Sequence, residues 1–107
     1  MSNRPQDPVP ERPQDPAPTR DWFVLTEETV GSGDQKRWSL TEIRSFFSHG
    51  EALAFADDTA RTYQPRHPSS PRNRRVFRVG EDIWITYVEG AMQTFHFRVS
   101  VARSADA

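Results

Sequence analysis

Residues 75–101 read RVFRVGEDIWITYVEGAMQTFHFRVSV. Three runs rich in β-branched and aromatic residues are separated by Gly80-Glu81-Asp82 and by Glu89-Gly90. Such runs, punctuated by turn residues, predict consecutive antiparallel strands over Arg75–Val79, Ile83–Val88 and Met92–Val101. Successive side chains of a strand point to opposite faces. Phe95, Phe97, Val99 and Val101 therefore share one face, and Thr94, His96, Arg98 and Ser100 share the other. Phe77 and Val79 oppose Arg78 in the same way. With the apolar sets turned toward a core, Arg78, His96 and Arg98 are expected on the outer face.

The middle strand has two readings. Two three-residue turns put Ile83, Ile85 and Tyr87 in the core and leave Arg78, Trp84 and His96 as an outer row. Two two-residue turns bury Trp84 and Val88 and place Ile83, Ile85 and Tyr87 outside with Met92. A slip of one residue inverts every side chain, so the readings do not mix. The first buries two β-branched residues and exposes one tryptophan, and is the one expected. On either reading the outer face combines apolar or aromatic surface with arginines, which marks a candidate binding site.

Working back along the chain, Pro65 to Arg75 reads as a long loop. Ahead of it, Glu51 to Tyr63 has helical spacing through Ala52, Phe55, Ala56 and Tyr63, and ends before Pro65. Ser39-Leu40-Thr41-Glu42 fits a capping box, followed by Leu40, Ile43, Phe46 and Phe47 at helical intervals. The expectation is two short helices broken at His49-Gly50. Gly31-Ser32-Gly33-Asp34 is a turn, and Trp22–Leu25 a strand. The order is β-α-α-β-β-β, an α+β domain with a small antiparallel sheet of about four strands and one or two helices packed on one face.

The first twenty residues differ in kind. Pro5, Pro8, Pro10, Pro13, Pro16 and Pro18 fall there, while every Phe, Trp and Tyr follows Asp21. Arg4-Pro5-Gln6-Asp7-Pro8 is repeated as Arg12-Pro13-Gln14-Asp15-Pro16. Proline fixes φ and removes backbone donors, so an extended tail is expected. Each repeat offers a P-x-x-P spacing that could serve as a ligand, but a solubilising segment explains it as well. The chain thus divides into a disordered tail, 1–20, one domain, 21–103, and a flexible end, 104–107.

The 107 residues carry a formal net charge of −1 and no cysteine. Thiol catalysis, disulfides and iron–sulfur sites are excluded. No His-x-x-x-His or similar pair supplies a metal motif, and no phosphate-binding loop or nucleophile–base–acid order is present. His49 beside Glu51, or near Asp57, is a weak acid–base candidate. No cofactor, no metal and no enzymatic activity are expected. No apolar run is long enough to span a bilayer, and no signal peptide begins the chain, so a cytoplasmic protein is expected.

The remaining charge signal is Arg61 to Arg78, which holds six arginines and His67 but no acid. Guanidinium groups grip carboxylates and phosphates bidentately. The candidate binding surface is Arg66, Arg72, Arg74, Arg75, Arg78, Trp84, His96 and Arg98. The expected partner is another protein or another copy of this chain. Nucleic acid is the alternative, weakened by the near-neutral charge.

Overall fold

The structure is a computed structural model that describes residues 18–31, 33–65 and 71–106. Most of the expected tail lies outside the described residues. The elements are β1 (Trp22–Val30), a short 3-10 turn (Gly33–Gln35), β2 (Arg37–Phe46), α1 (His49–Thr62), β3 (Pro71–Val79), β4 (Ile83–Gly90) and β5 (Thr94–Arg103). All strands pair antiparallel in one sheet of order β2-β1-β5-β4-β3. The α+β class and the three-stranded C-terminal run stand. The sheet has five strands instead of about four, and among the described residues one helix packs on it, within the one or two expected, the break at His49-Gly50 being absent.

The fifth strand is the segment expected to be the first helix. Leu40 and Ile43 are three residues apart, which mimics a helical stripe. Between them the ladder slips: Thr26 pairs with Glu42 but Glu27 pairs with Leu40, leaving Thr41 as an extra residue. This β-bulge turns an odd spacing into a shared face. Ser39 therefore caps nothing. The same S-x-x-E pattern recurs at Ser48–Glu51, where the Ser48 hydroxyl accepts the Glu51 N–H at 3.1 Å. Gly50 sits in the first turn of α1 and does not break it. The β1–β2 connection turns at Gly31, with φ of 88°, where an added Cβ would lie 2.3 Å from the Gln35 carbonyl oxygen. Only glycine fits there.

The strand boundaries also move. β1 runs on to Val30, β3 begins at Pro71 inside the expected loop, and Met92 lies in the β4–β5 turn, not in β5.

The helix packs its alanine stripe, Ala52, Ala56 and Ala60, against the sheet. Alanines four apart share a face, and their small size brings the helix close. The sheet supplies the bulk: Val24, Trp84, Val88, Phe97, Val99 and Val101 are buried beneath it. The expected register of the middle strand is thereby reversed. Trp84, Thr86 and Val88 face α1, while Ile83, Ile85 and Tyr87 face away. The first turn does hold three residues, Gly80 to Asp82, since Val79 pairs with Ile83. The second holds four, since Glu89 pairs with Thr94. Phe95 and Phe97 thus align with Val88 and Thr86. Phe77 and Val79, expected inside, are exposed on the outer face, and Val76 packs on the core in their place.

Two polar contacts fix this choice of face. The Trp84 indole N–H donates to Asp57 Oδ1 at 3.2 Å, and the Thr86 hydroxyl donates to the Ala60 carbonyl at 2.8 Å. Arg61, one turn on, hydrogen-bonds Asp57 and holds its carboxyl below its ordinary range, so it remains an anion for Trp84. Trp84→Ala is expected to cost about 3–5 kcal/mol in chemical denaturation, the range for emptying a large aromatic site. A loss below about 1 kcal/mol would place the tryptophan outside the core.

Candidate binding face

Strand partners share a face, so the pairings map the side of the sheet turned away from α1. One row crosses it as Leu40, Glu27, Arg98, Ile85 and Phe77. A second reads Ile43, Leu25, Ser100, Ile83 and Val79. On the other side of the first row lie Trp38, Thr29, His96, Tyr87 and Arg75. No helix covers these rows among the described residues. Trp38 is 42% exposed, Leu40 49%, Ile43 58%, Phe77 45% and Val79 49%. An apolar area this continuous is uncommon on a chain that binds nothing.

Charge enters this face at its centre. The Arg98 guanidinium donates to Glu27 Oε1 from Nε at 2.9 Å and from Nη2 at 2.8 Å. His96 lies against Trp38, with ring centroids 5.2 Å apart. Arg75 lies over the Phe77 ring at 5.2 Å. The face is thus an apolar field around one neutralised ion pair, with aromatic and cationic groups along one margin.

The arginine run is distributed differently from its expected place. Arg74 crosses to the helix side, where it donates to the carbonyls of Tyr63 at 2.6 Å and Ala60 at 3.2 Å. It thus satisfies the orphan acceptors at the end of α1. Burial pulls its pKa below the ordinary guanidinium value. Arg78 also faces the helix side: its guanidinium stands 4.3 Å from the Trp84 ring and donates to the Glu81 carbonyl. Trp84 itself is buried. Neither Arg78 nor Trp84 shares the outer face with His96 and Arg98, because the register of β3 and β4 is the reverse of the one expected. Arg72 is exposed and lines an open pocket of about 270 Å³ with Gln64, Pro71, Asn73, Arg74 and Val88. Arg66 lies outside the described residues.

The sequence reading missed Trp38, Leu40 and Ile43 as face residues, and placed Phe77 and Val79 inside. The alternation of Trp38 and Leu40 was a usable strand signal, masked by the bulge after it. Ile83, Ile85 and Tyr87 were named as outer residues only in the second register.

Two polar clusters lie elsewhere. His49 Nε2 is 3.0 Å from Asp82 Oδ1, and its ring stacks on Trp22 with centroids 4.2 Å apart. This ties the start of α1 to the β3–β4 turn and to β1. The partner is Asp82, not Glu51 or Asp57, and neither His49 nor His96 lines the 270 Å³ pocket. Under the last turn of α1, Glu28 is buried and its Oε2 accepts the Tyr63 hydroxyl at 2.5 Å and the Thr41 hydroxyl at 2.6 Å. Burial and the neighbouring Glu28 push Tyr63 up to about 12 from the ordinary 10.0. Among the described residues no three of His, Asp and Glu gather as a metal site would require. No helix among the described residues is long and apolar enough to cross a membrane. No protein family, curated protein or solved structure matches this chain.

The two arginines that adjoin in sequence are expected to separate in effect. Arg74→Ala takes the donor from the Tyr63 carbonyl, while the Ala60 carbonyl keeps the Thr86 hydroxyl, and should cost about 1–3 kcal/mol, whereas Arg75→Ala should stay within about 0.5 kcal/mol. Equal losses in urea denaturation would contradict the capping role. Tyr63 gives a pH signature. A raised folded-state pKa means its contribution is fully present below pH 10 and is lost as pH rises through about 12. Spectrophotometric titration should therefore show a tyrosinate step near pH 12 that Tyr63→Phe removes; an unchanged titration in that variant would refute the assignment.

Proposed function

We propose that this chain is a small non-enzymatic protein-binding module that acts through the uncovered outer face of its sheet. The observation that carries the reading is the group Trp38, Leu40, Ile43, Phe77 and Val79, each 42–58% exposed on one face with no element laid over it among the described residues. Removing such a surface from water contributes roughly 25 cal/mol per Å², and a polypeptide partner is the ligand large enough to cover it.

The edges of the sheet point the same way. A protein that recruits partners by strand addition presents a flat, unblunted edge. Here β2 is bulged at Thr41 and carries Arg37 and Arg44. β3 opens with Pro71, slips register before Asn73, and carries Arg72, Arg74, Arg75 and Arg78. Proline, bulges and charge are the devices that blunt an edge strand. Much of the arginine run thus has a structural reason to exist, and recognition is left to the face.

The nucleic-acid alternative draws less support. Phosphate binding calls for free guanidinium groups and a basic field. Arg74 and Arg78 donate to backbone carbonyls, Arg98 is paired with Glu27, and the net charge is −1.

The test is a tagged full-length chain in native lysate, beside a Leu40→Glu, Phe77→Glu variant with unchanged circular dichroism. The expected outcome is that the wild type retains polypeptide partners, identified by mass spectrometry, and that the variant retains at least ten-fold less. Equal retention by both would overturn the reading.

A further inference from the structure

We infer that the occupant of the outer face is a second copy of this chain, joined sheet to sheet about a two-fold axis into a four-layer helix–sheet–sheet–helix dimer. The inference rests on the binding face described above and names its partner.

The first ground is charge. The centre of the face is one acid and one base, Glu27 and Arg98, on adjacent strands. Burying an ion pair is costly unless its remaining acceptors and donors are met. An apolar partner would leave both groups desolvated with only each other. A second copy brings the reciprocal pair. Place a two-fold axis between the sheets, parallel to the strands and midway between β1 and β5. β1 then lies over β5 of the second copy, and β2 over its β4. Glu27 faces Arg98 of the second copy and Arg98 faces its Glu27, closing an alternating square of four charges. With the axis along β5 instead, Arg98 would meet Arg98, so the charges select the first arrangement.

The same axis matches the apolar groups in size. Leu40 comes to face Ile85 of the second copy, Ile43 its Ile83, and Trp38 its Tyr87, as the pairings place these residues in common rows. An isologous contact of this kind closes after two subunits and leaves no growing end. Sheets packed face to face stand about 10 Å apart with strands within about 30°, a geometry open to two copies of one twisted sheet.

The second ground is area. Five strands of 8 to 10 residues form the sheet. The axis between β1 and β5 overlaps four strands of each copy, β2, β1, β5 and β4, and leaves β3 at the rim. At about 4.8 Å between strands and about 3.4 Å per residue, the shared footprint is roughly 19 by 30 Å, about 570 Å² per copy and so about 1,100 Å² over both, which clears the ~1,000 Å² expected of a specific interface. The edges, blunted by Pro71, the bulges and the arginines, keep the copies from pairing edge to edge.

Analytical ultracentrifugation of the full-length chain tests this. The wild type is expected to sediment as a dimer at micromolar concentration. Glu27→Arg and Arg98→Glu, each carrying like charges at the centre, are expected to sediment as monomers. Their equimolar mixture is expected to form a heterodimer, which no merely structural role for the ion pair would produce. Leu40→Glu, at a half-exposed position that α1 does not touch, is expected to be a folded monomer and guards against a central variant that fails to fold. A wild type that stays monomeric through the micromolar range overturns the inference, as does a dimer that persists in Leu40→Glu. If the wild type is monomeric yet loses its lysate partners on the Leu40→Glu, Phe77→Glu change, only the identity of the partner is overturned and the binding face stands.

Discussion

One helix has two faces of a sheet to choose between, and can cover only one. α1 has 14 residues, so it is about 21 Å long and about 10 Å across. It settles on the side where Trp84, Phe97, Val99 and Val101 stand, and its alanines let it sink until indole and helix share a hydrogen bond. Every other property of the outer surface follows from that occupancy. The apolar residues on the reverse side are not left over from a defective core; they belong to strands that would have alternated with charge had solvent been their destination. Ile43, Leu25, Ile83 and Val79 lie in one row interrupted only by Ser100, a pattern suited to burial on both sides.

The extent to which this could be read in advance turned on where local pattern was sufficient. The β3–β4–β5 meander announced itself through Gly80 and Gly90, and α1 was bounded correctly by Pro65. Two things were not local. The bulge at Thr41 made strand β2 imitate a helix, since a single inserted residue shifts a period of two to a spacing of three. The facing of β4 depended on what the helix offered. Two isoleucines outweigh one tryptophan in any count of apolar residues, but an alanine stripe leaves a volume that the tryptophan fills, and Asp57 gives its N–H an acceptor. Neither fact is visible in residues 83–88 alone. With β4 reversed, Arg78 and Trp84 lie off the outer face and Phe77 and Val79 lie on it, so several members of the face differ from those expected.

The arginines illustrate how little a charge run says without its strand register. Arg74 and Arg75 are neighbours in sequence and point to opposite sides of the sheet. One closes the C-terminus of α1 and lies 5.8 Å from the Phe97 ring; the other stands over Phe77 in solvent. A planar five-donor group suits both posts, which is how one residue type comes to serve capping, stacking, pairing and edge protection within a single small domain.

The pairing of β1 with β5 has a further consequence, for the order in which the structure can assemble. β1 with β2 is a hairpin, and β3 with β4 and β5 is a meander; both close short loops. The contact between them joins residues as distant as Glu27 and Arg98, 71 positions apart, and at its far end the Ser104 N–H reaches the Asp21 carbonyl at 3.0 Å. Loop-closure entropy therefore concentrates in one seam. In chain order every strand lies beside the next except β2 and β3, the two edges, which α1 joins, and the first and last strands meet at Asp21 and Ser104, so a linker of a few residues across that gap would turn the beginning of the fold into its middle and allow new ends to open at the exposed Gly90–Gln93 turn.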